Sequence, residues 1–210
     1  MKKLGLTFKP LTRARWNDFE DLFGENGACG GCWCMFWRSS HAQFEKNKGA
    51  GNKRAMRKLV NDGAVPGILA YHQGEPVGWC SVAPRAVFPR LARSRVLEPV
   101  DDKPVWSITC FFIRRGYRRR GVSTRLVEAA VDYVRGRGGR VLEAYPKDGA
   151  KGLEPDAFVW LGLFSAFRKA KFEEVARRSK HRPIVRRVVR PATAGRRRRP
   201  SGTLAKRRPA

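Results

Sequence analysis

The chain has 210 residues, 42% hydrophobic and 10% aromatic, which is enough apolar material for one full-sized core. It carries 45 Lys and Arg against 18 Asp and Glu, a formal charge of +27, and contains no apolar run of the ~18 residues that a membrane-spanning helix requires. The opening MKKLGLTFKPLTRARW alternates apolar and polar residues and lacks the hydrophobic block of a secretion signal, so a cytoplasmic protein with no membrane association is expected. Five cysteines, Cys29, Cys32, Cys34, Cys80 and Cys110, are an odd number, and disulfides are not expected there.

In chain order, residues 5–10 read as a strand and residues 13–23 as a helix with Trp16, Phe19, Leu22 and Phe23 along one side. Residues 27–37 are rich in Gly and Cys and then aromatic, and a helix is expected near residues 52–60. Strands at 67–71 and 76–82 flank the turn His72-Gln73-Gly74-Glu75, a hairpin signature. After a Pro- and Arg-rich connection, residues 105–113 (VWSITCFFI) are apolar or small on both alternating faces, as a strand covered on both sides requires. Cys80 and Cys110, inside strands, read as core.

A helix over 123–135 follows, with Leu126, Ala130 and Val134 four apart and Val127 and Val131 beside them; Gly136, Gly138 and Gly139 end it. Residues 140–145 form the next strand and complete a β-α-β unit. An amphipathic helix at 156–170 and strands at 172–176 and 184–189 close a domain of residues 1–190. Residues 191–210 are Pro, Gly, Ala and basic residues without periodicity, a disordered tail by composition that could associate weakly with nucleic acid. The element order is that of an α/β domain on a mixed sheet.

The turn joining the buried strand to its helix, residues 114–123, holds five arginines and Gly121 at the helix start. A glycine there lets a ligand approach backbone closely, and the first N–H groups of the helix, at the positive end of its dipole, suit pyrophosphate. Within this turn, YRRRGVS (117–123) resembles the acyl-CoA signature Q/R-x-x-G-x-G/A of the GNAT superfamily. Arg118 takes the Q/R position, Gly121 the first glycine, and Ser123 stands in place of the last Gly or Ala. The element order over residues 4–190 and the closing FRKAKFEEV stretch fit as well.

The resemblance implies a single-domain fold with a mixed, mainly antiparallel twisted sheet flanked by helices around a β-α-β acyl-CoA-binding core. It also implies an N-acetyltransferase moving an acetyl group from acetyl-CoA directly to a small-molecule or protein amine, with no metal. By the same resemblance Phe111, Phe112 and Ile113 pair with the pantetheine arm. Arg118 guards the turn, and the N–H groups of Arg119, Arg120, Gly121, Val122, Ser123 and Thr124 hold the pyrophosphate. Two family positions depart: Phe167 stands where a proton-donating tyrosine is usual, and Trp160 where a helix asparagine is common. Glu143 and Tyr145, on one face at the end of the 140–145 strand, are the remaining catalytic candidates, against a reading as ordinary strand residues.

CGGCWC (29–34) looks like the mark of a subgroup of GNAT-like proteins, and three readings of it stay open. Cys29, Cys32 and Cys34 could ligate zinc with His41; Cys32, Trp33, Cys34 and Trp37 could wall the acceptor pocket; or all could be core. His72 and His181 read as solvated. The alternative to an enzyme is a non-catalytic acyl-CoA sensor or nucleic-acid-binding protein on the same fold. The sequence leaves the oligomeric state open.

Overall fold

Alternation of apolar side chains over Leu6–Pro10 gives β1, which pairs antiparallel with β2 (Gly67–His72). β2 turns into β3 (Glu75–Pro84) through Gln73 and Gly74, both at left-handed φ (50° and 85°), the pair that a two-residue hairpin turn matching strand twist requires. β4 (Trp106–Ile113) continues antiparallel. Helix α5 (Val122–Gly136) then crosses to β5 (Val141–Ala144), which lies parallel to β4. β6 (Glu173–Arg177) and β7 (Pro183–Val188) complete a seven-stranded sheet in the order β1-β2-β3-β4-β5-β7-β6. These elements come from a computed structural model that describes residues 4–148 and 160–191. The fold is a single-domain α/β one, with a mostly antiparallel open sheet flanked by helices.

Helices cover both faces. On one side α5 buries Val122, Leu126, Val127, Ala130, Val131 and Val134 against β2, β3 and β4. Each of these valine and leucine side chains stabilises by about 1.5–3 kcal/mol relative to exposure. On the other, α1 (Trp16–Phe23) and α3 (Ala50–Asn61) enclose Phe19, Phe23, Met56 and Val60 around Trp79 of β3. Two short helices were not expected from the sequence. α2 (His41–Lys46) starts at a capping box between Ser40 and Gln43, and α4 (Pro89–Ala92) starts at Pro89. α4 closes a third apolar cluster containing Phe88, Leu91, Leu97 and Tyr145, so the 83–104 connection is folded structure rather than a linker. No helix among the described residues is long and apolar enough to cross a membrane.

The amphipathic helix expected at 156–170 is shorter. α6 spans Phe164–Lys169, residues 160–163 are not helical, and residues 156–159 lie outside the described residues, as do residues 192–210 of the basic tail. This difference positions the site. β4 and β5 pair only from Trp106↔Leu142 to Ile108↔Ala144. Beyond that, Lys147 N–H donates to Gly162 C=O (2.9 Å) and Phe111 N–H to Trp160 C=O (2.6 Å), so the 160–163 stretch enters between the diverging strands. A bulge marks the divergence. Ser81 faces Cys110 while Val82 faces Ile108, which leaves Thr109 as the extra residue and re-aims the side chains after it.

Candidate active site

The divergence of β4 and β5 opens a cleft of about 1180 Å³. Along one wall runs the end of β4. Arg114 N–H donates to Val77 of β3 and Phe111 N–H to Trp160, so by strand alternation Ile113 also turns its backbone away from β3 toward the cleft side. At the cleft mouth the chain leaves β4 through a short turn. It passes Arg119 (φ 57°) and Gly121 (φ 79°), both left-handed, and enters α5 at Val122. Arg125 N–H, bonded to Gly121 C=O, closes the first helical turn, so the N–H groups of Val122, Ser123 and Thr124 have no partner within the helix. A Cβ built on Gly121 meets nothing within 4 Å. The space beside this backbone is open, as an anion seated on the helix end requires.

Of the residues expected at this turn and strand, Phe111, Phe112, Ile113, Arg118, Arg119, Gly121, Val122 and Ser123 line the cleft. Arg120 lies instead over the Tyr117 ring (5.5 Å), and Thr124 does not line the cleft. The five arginines are thus not equivalent. Arg114 is engaged by Asp21 (2.7 Å) and Glu75 (3.4 Å), while Arg118 Nε donates to Ile113 C=O (3.0 Å), which fixes the turn against the strand end. The cleft is strongly positive: Lys48, Arg118, Arg119, Lys147 and Arg168 line it, and among the described residues the one carboxylate that lines it, Asp148, is bonded to Arg177 (2.7 Å).

Aromatic and cysteine side chains also line the cleft. Cys32, Cys34 and Trp37 line it together with Phe36, Phe44 and Trp160. Trp33 does not line the cleft: it stacks on Phe23 (5.7 Å between ring centroids) with the Lys53 ammonium over its ring (5.0 Å). Cys110, read as core from its strand pattern, lines the cleft because it follows the bulge, whereas Cys80 is buried. Among the described residues no group of three or more His, Cys, Asp or Glu is placed to hold a metal, so the set of Cys29, Cys32, Cys34 and His41 is not assembled. His181, read as a solvated residue, is exposed on the cleft rim.

Glu143 and Tyr145 do not reach the cleft. Both are completely buried, in an ion network between β5, β7 and the 83–104 connection. Arg85 donates to Glu143 Oε1 (2.7 Å) and Arg186 to Glu143 Oε2 (2.7 Å), and Arg186 also reaches Asp101 (2.8 Å). The Tyr145 hydroxyl gives its one proton to Glu143, so at its contact with Ser107 (2.9 Å) it accepts. Burial and the Glu143 charge push the Tyr145 phenol up, and it keeps its proton. Phe167 is likewise sealed in the core, against Phe111 and Phe172.

The molecule is thus an α/β protein whose sheet splits between a parallel strand pair, with a helix N-terminus and a glycine turn at the mouth of the split. The sequence model of the acetyltransferase (GNAT) family matches residues 33–153, more than half of the chain, and the chain belongs to that family. An acetyltransferase of the GNAT family from Streptococcus agalactiae superposes with a TM-score of 0.52 at 11% identity, over 90% of this chain and 98% of its own. An N-acetyltransferase from Staphylococcus aureus gives 0.51 at 8% identity, over 89% and 99%. The NatC complex bound to Gag peptide and CoA gives 0.50 at 12% identity, over 88% and 99%. At these identities the likeness is one of fold. Comparison with curated proteins gives no match.

Proposed function

We propose that the protein is an N-acetyltransferase that uses acetyl-CoA and passes the acetyl group directly to an amine. The observation that carries this reading is the left-handed Gly121 turn at the start of α5, which opens on the same cleft as the end of β4. Bound acetyl-CoA would supply an acyl thioester. The residues present suit it: the N–H groups of Val122, Ser123 and Thr124 would take phosphate oxygens, with Arg118 and Arg119 as charge-assisted donors at the rim. The backbone of Ile113 would hold the pantetheine arm, and Phe111 and Phe112 its apolar surroundings. The NatC complex, solved with CoA on the same fold, supports this choice of cofactor. Phe167, Glu143 and Tyr145 have no part in proton transfer here, the first for lack of a proton and the other two for lack of access. Rate enhancement rests on holding the amine against the thioester and excluding water.

An acceptor site in a cleft lined by aromatic, cysteine and cationic side chains selects against polycations. Neutral or anionic amines with an apolar body, aromatic amino acids among them, are expected to exceed spermidine in kcat/KM by about tenfold or more. Mass detection of acetylated product across such a panel checks this, and a polyamine at the head of the ranking would overturn it. No product from any amine would remove the enzyme reading and leave an acyl-CoA-binding protein.

A further inference from the structure

We propose that His181 is the general base of the cleft and takes the proton of the acceptor amine through Nε2. The inference rests on the acyl-transfer reading above. It adds the proton acceptor that the buried Glu143 and Tyr145 and the protonless Phe167 do not supply.

His181 stands in the turn between β6 and β7, and two bonds tie it to the chain just beyond β5. Asp148 N–H donates to His181 C=O (2.9 Å), and His181 Nδ1 lies 3.3 Å from Asp148 C=O. A carbonyl only accepts, so Nδ1 carries the proton of the neutral ring and donates there. Nε2 is then left with its lone pair. Among the described residues nothing bonds to it, and the exposed ring lines the cleft. The turn itself is braced. Arg177, at the end of β6, donates to Lys180 C=O (3.0 Å) and to the Asp148 carboxylate (2.7 Å). The imidazole thus has its tautomer and its place set by a third group, the arrangement that proton-transfer sites share.

His181 is the one imidazole among the described residues that lines the cleft. Other lining groups are engaged: Arg177 holds the Asp148 carboxylate, and the Tyr117 hydroxyl gives its proton to Glu75 (2.8 Å). The charged groups around the ring are Lys147 and Asp148 beyond β5, Lys180 and Arg182 in its own turn, Arg177 of β6 and Arg168 of α6. The last two lie over the Phe164 ring (5.9 and 6.0 Å).

An alkylamine, like a lysine side chain with a pKa near ~10, reaches the cleft as ammonium. Nε2 takes one of its protons, and the exposed ring passes that proton to water. The neutral nitrogen then bonds to the acyl carbon as the C–S bond of the thioester breaks. The next proton of that nitrogen leaves through Nε2 to the departing sulfur. The ring returns to its starting form, and the products are an amide and the CoA thiol.

The test compares His181→Ala and His181→Gln with the native full chain, using acetyl-CoA and the best primary alkylamine of the acceptor panel. At pH 7 both variants are expected to lose about hundredfold in kcat/KM, with acetyl-CoA affinity by calorimetry unchanged. Glutamine keeps a donor for Asp148 C=O but has no basic lone pair, so it does not rescue. The deficit narrows as pH rises toward ~10, where the acceptor loses its proton unaided. A readout without turnover is diethyl pyrocarbonate labelling mapped by mass. Saturating acetyl-CoA is expected to slow labelling of His181 severalfold and to leave His72, outside the cleft, unaffected. Native activity in His181→Ala, recovery in His181→Gln, a deficit of one size at every pH, or His181 labelling unmoved by bound acetyl-CoA would each overturn this role. A native chain that acetylates no amine would instead remove the acyl-transfer reading itself.

Discussion

Replacing Gly121 with glutamate is expected to lower acetyl-CoA affinity at least about hundredfold while leaving the fold intact. Two effects add. A non-glycine residue at φ 79° costs roughly 1–2 kcal/mol of backbone strain, which displaces the N–H groups of the following turn. The side chain would then occupy the open space beside the helix end, where a Cβ now meets nothing within 4 Å, and would put a carboxylate where phosphates must sit. Because no neighbour is displaced, the melting temperature should move by only a few degrees. Calorimetry and thermal melting on the same sample check both halves. Undiminished binding in a folded variant would mean that the phosphates lie elsewhere.

The second large effect falls on stability. Glu143→Ala is expected to cost about 3–5 kcal/mol, the range for removing one partner of a buried ion pair. The Glu143 side chain is 1% exposed, and the two guanidiniums it serves, Arg85 and Arg186, are 12% and 11% exposed, so water cannot replace the carboxylate. Its loss leaves two like charges facing each other with only Asp101 to compensate one of them. A drop in melting temperature of about 10 °C follows for a chain of this size. Glu143→Gln, which keeps an acceptor, should fall between the two. A change below about 3 °C for the alanine variant would show that the network adds little.

These two sites were not equally legible in the sequence. Gly121 could be found because the signal is local: an apolar strand, a basic turn, a glycine, and a helix with a four-residue period. The same locality made β4, α5 and the Gln73-Gly74 hairpin readable. The Glu143 network could not be read as such, since Arg85 and Arg186 lie 58 and 43 residues from it and only the register of β5 on β7 brings them together. The bulge at Thr109 was equally invisible: VWSITCFFI is apolar or small on both faces, so no break in a pattern marks the extra residue, which shows only in its pairing with β3. That single residue moved Cys110 from expected core to cleft wall. Trp33 went the other way, out of the expected pocket wall and onto Phe23. The 160–163 stretch reads as helix by composition but serves as a partner for Phe111 and Lys147.

The most direct measurement of the central claim is calorimetric titration of acetyl-CoA into the full chain, with ATP as control, at about 0.2 M salt, where the Debye length is below ~8 Å and general attraction of phosphate to a +27 chain is weakened. Stoichiometric binding of acetyl-CoA, roughly a hundredfold tighter than ATP and little changed by further salt, is the expected result, since the pantetheine arm adds contacts along β4 that ATP cannot make. If the two ligands bind alike, weakly and with steep salt dependence, the Gly121 turn is a basic patch and the cleft does not hold acyl-CoA.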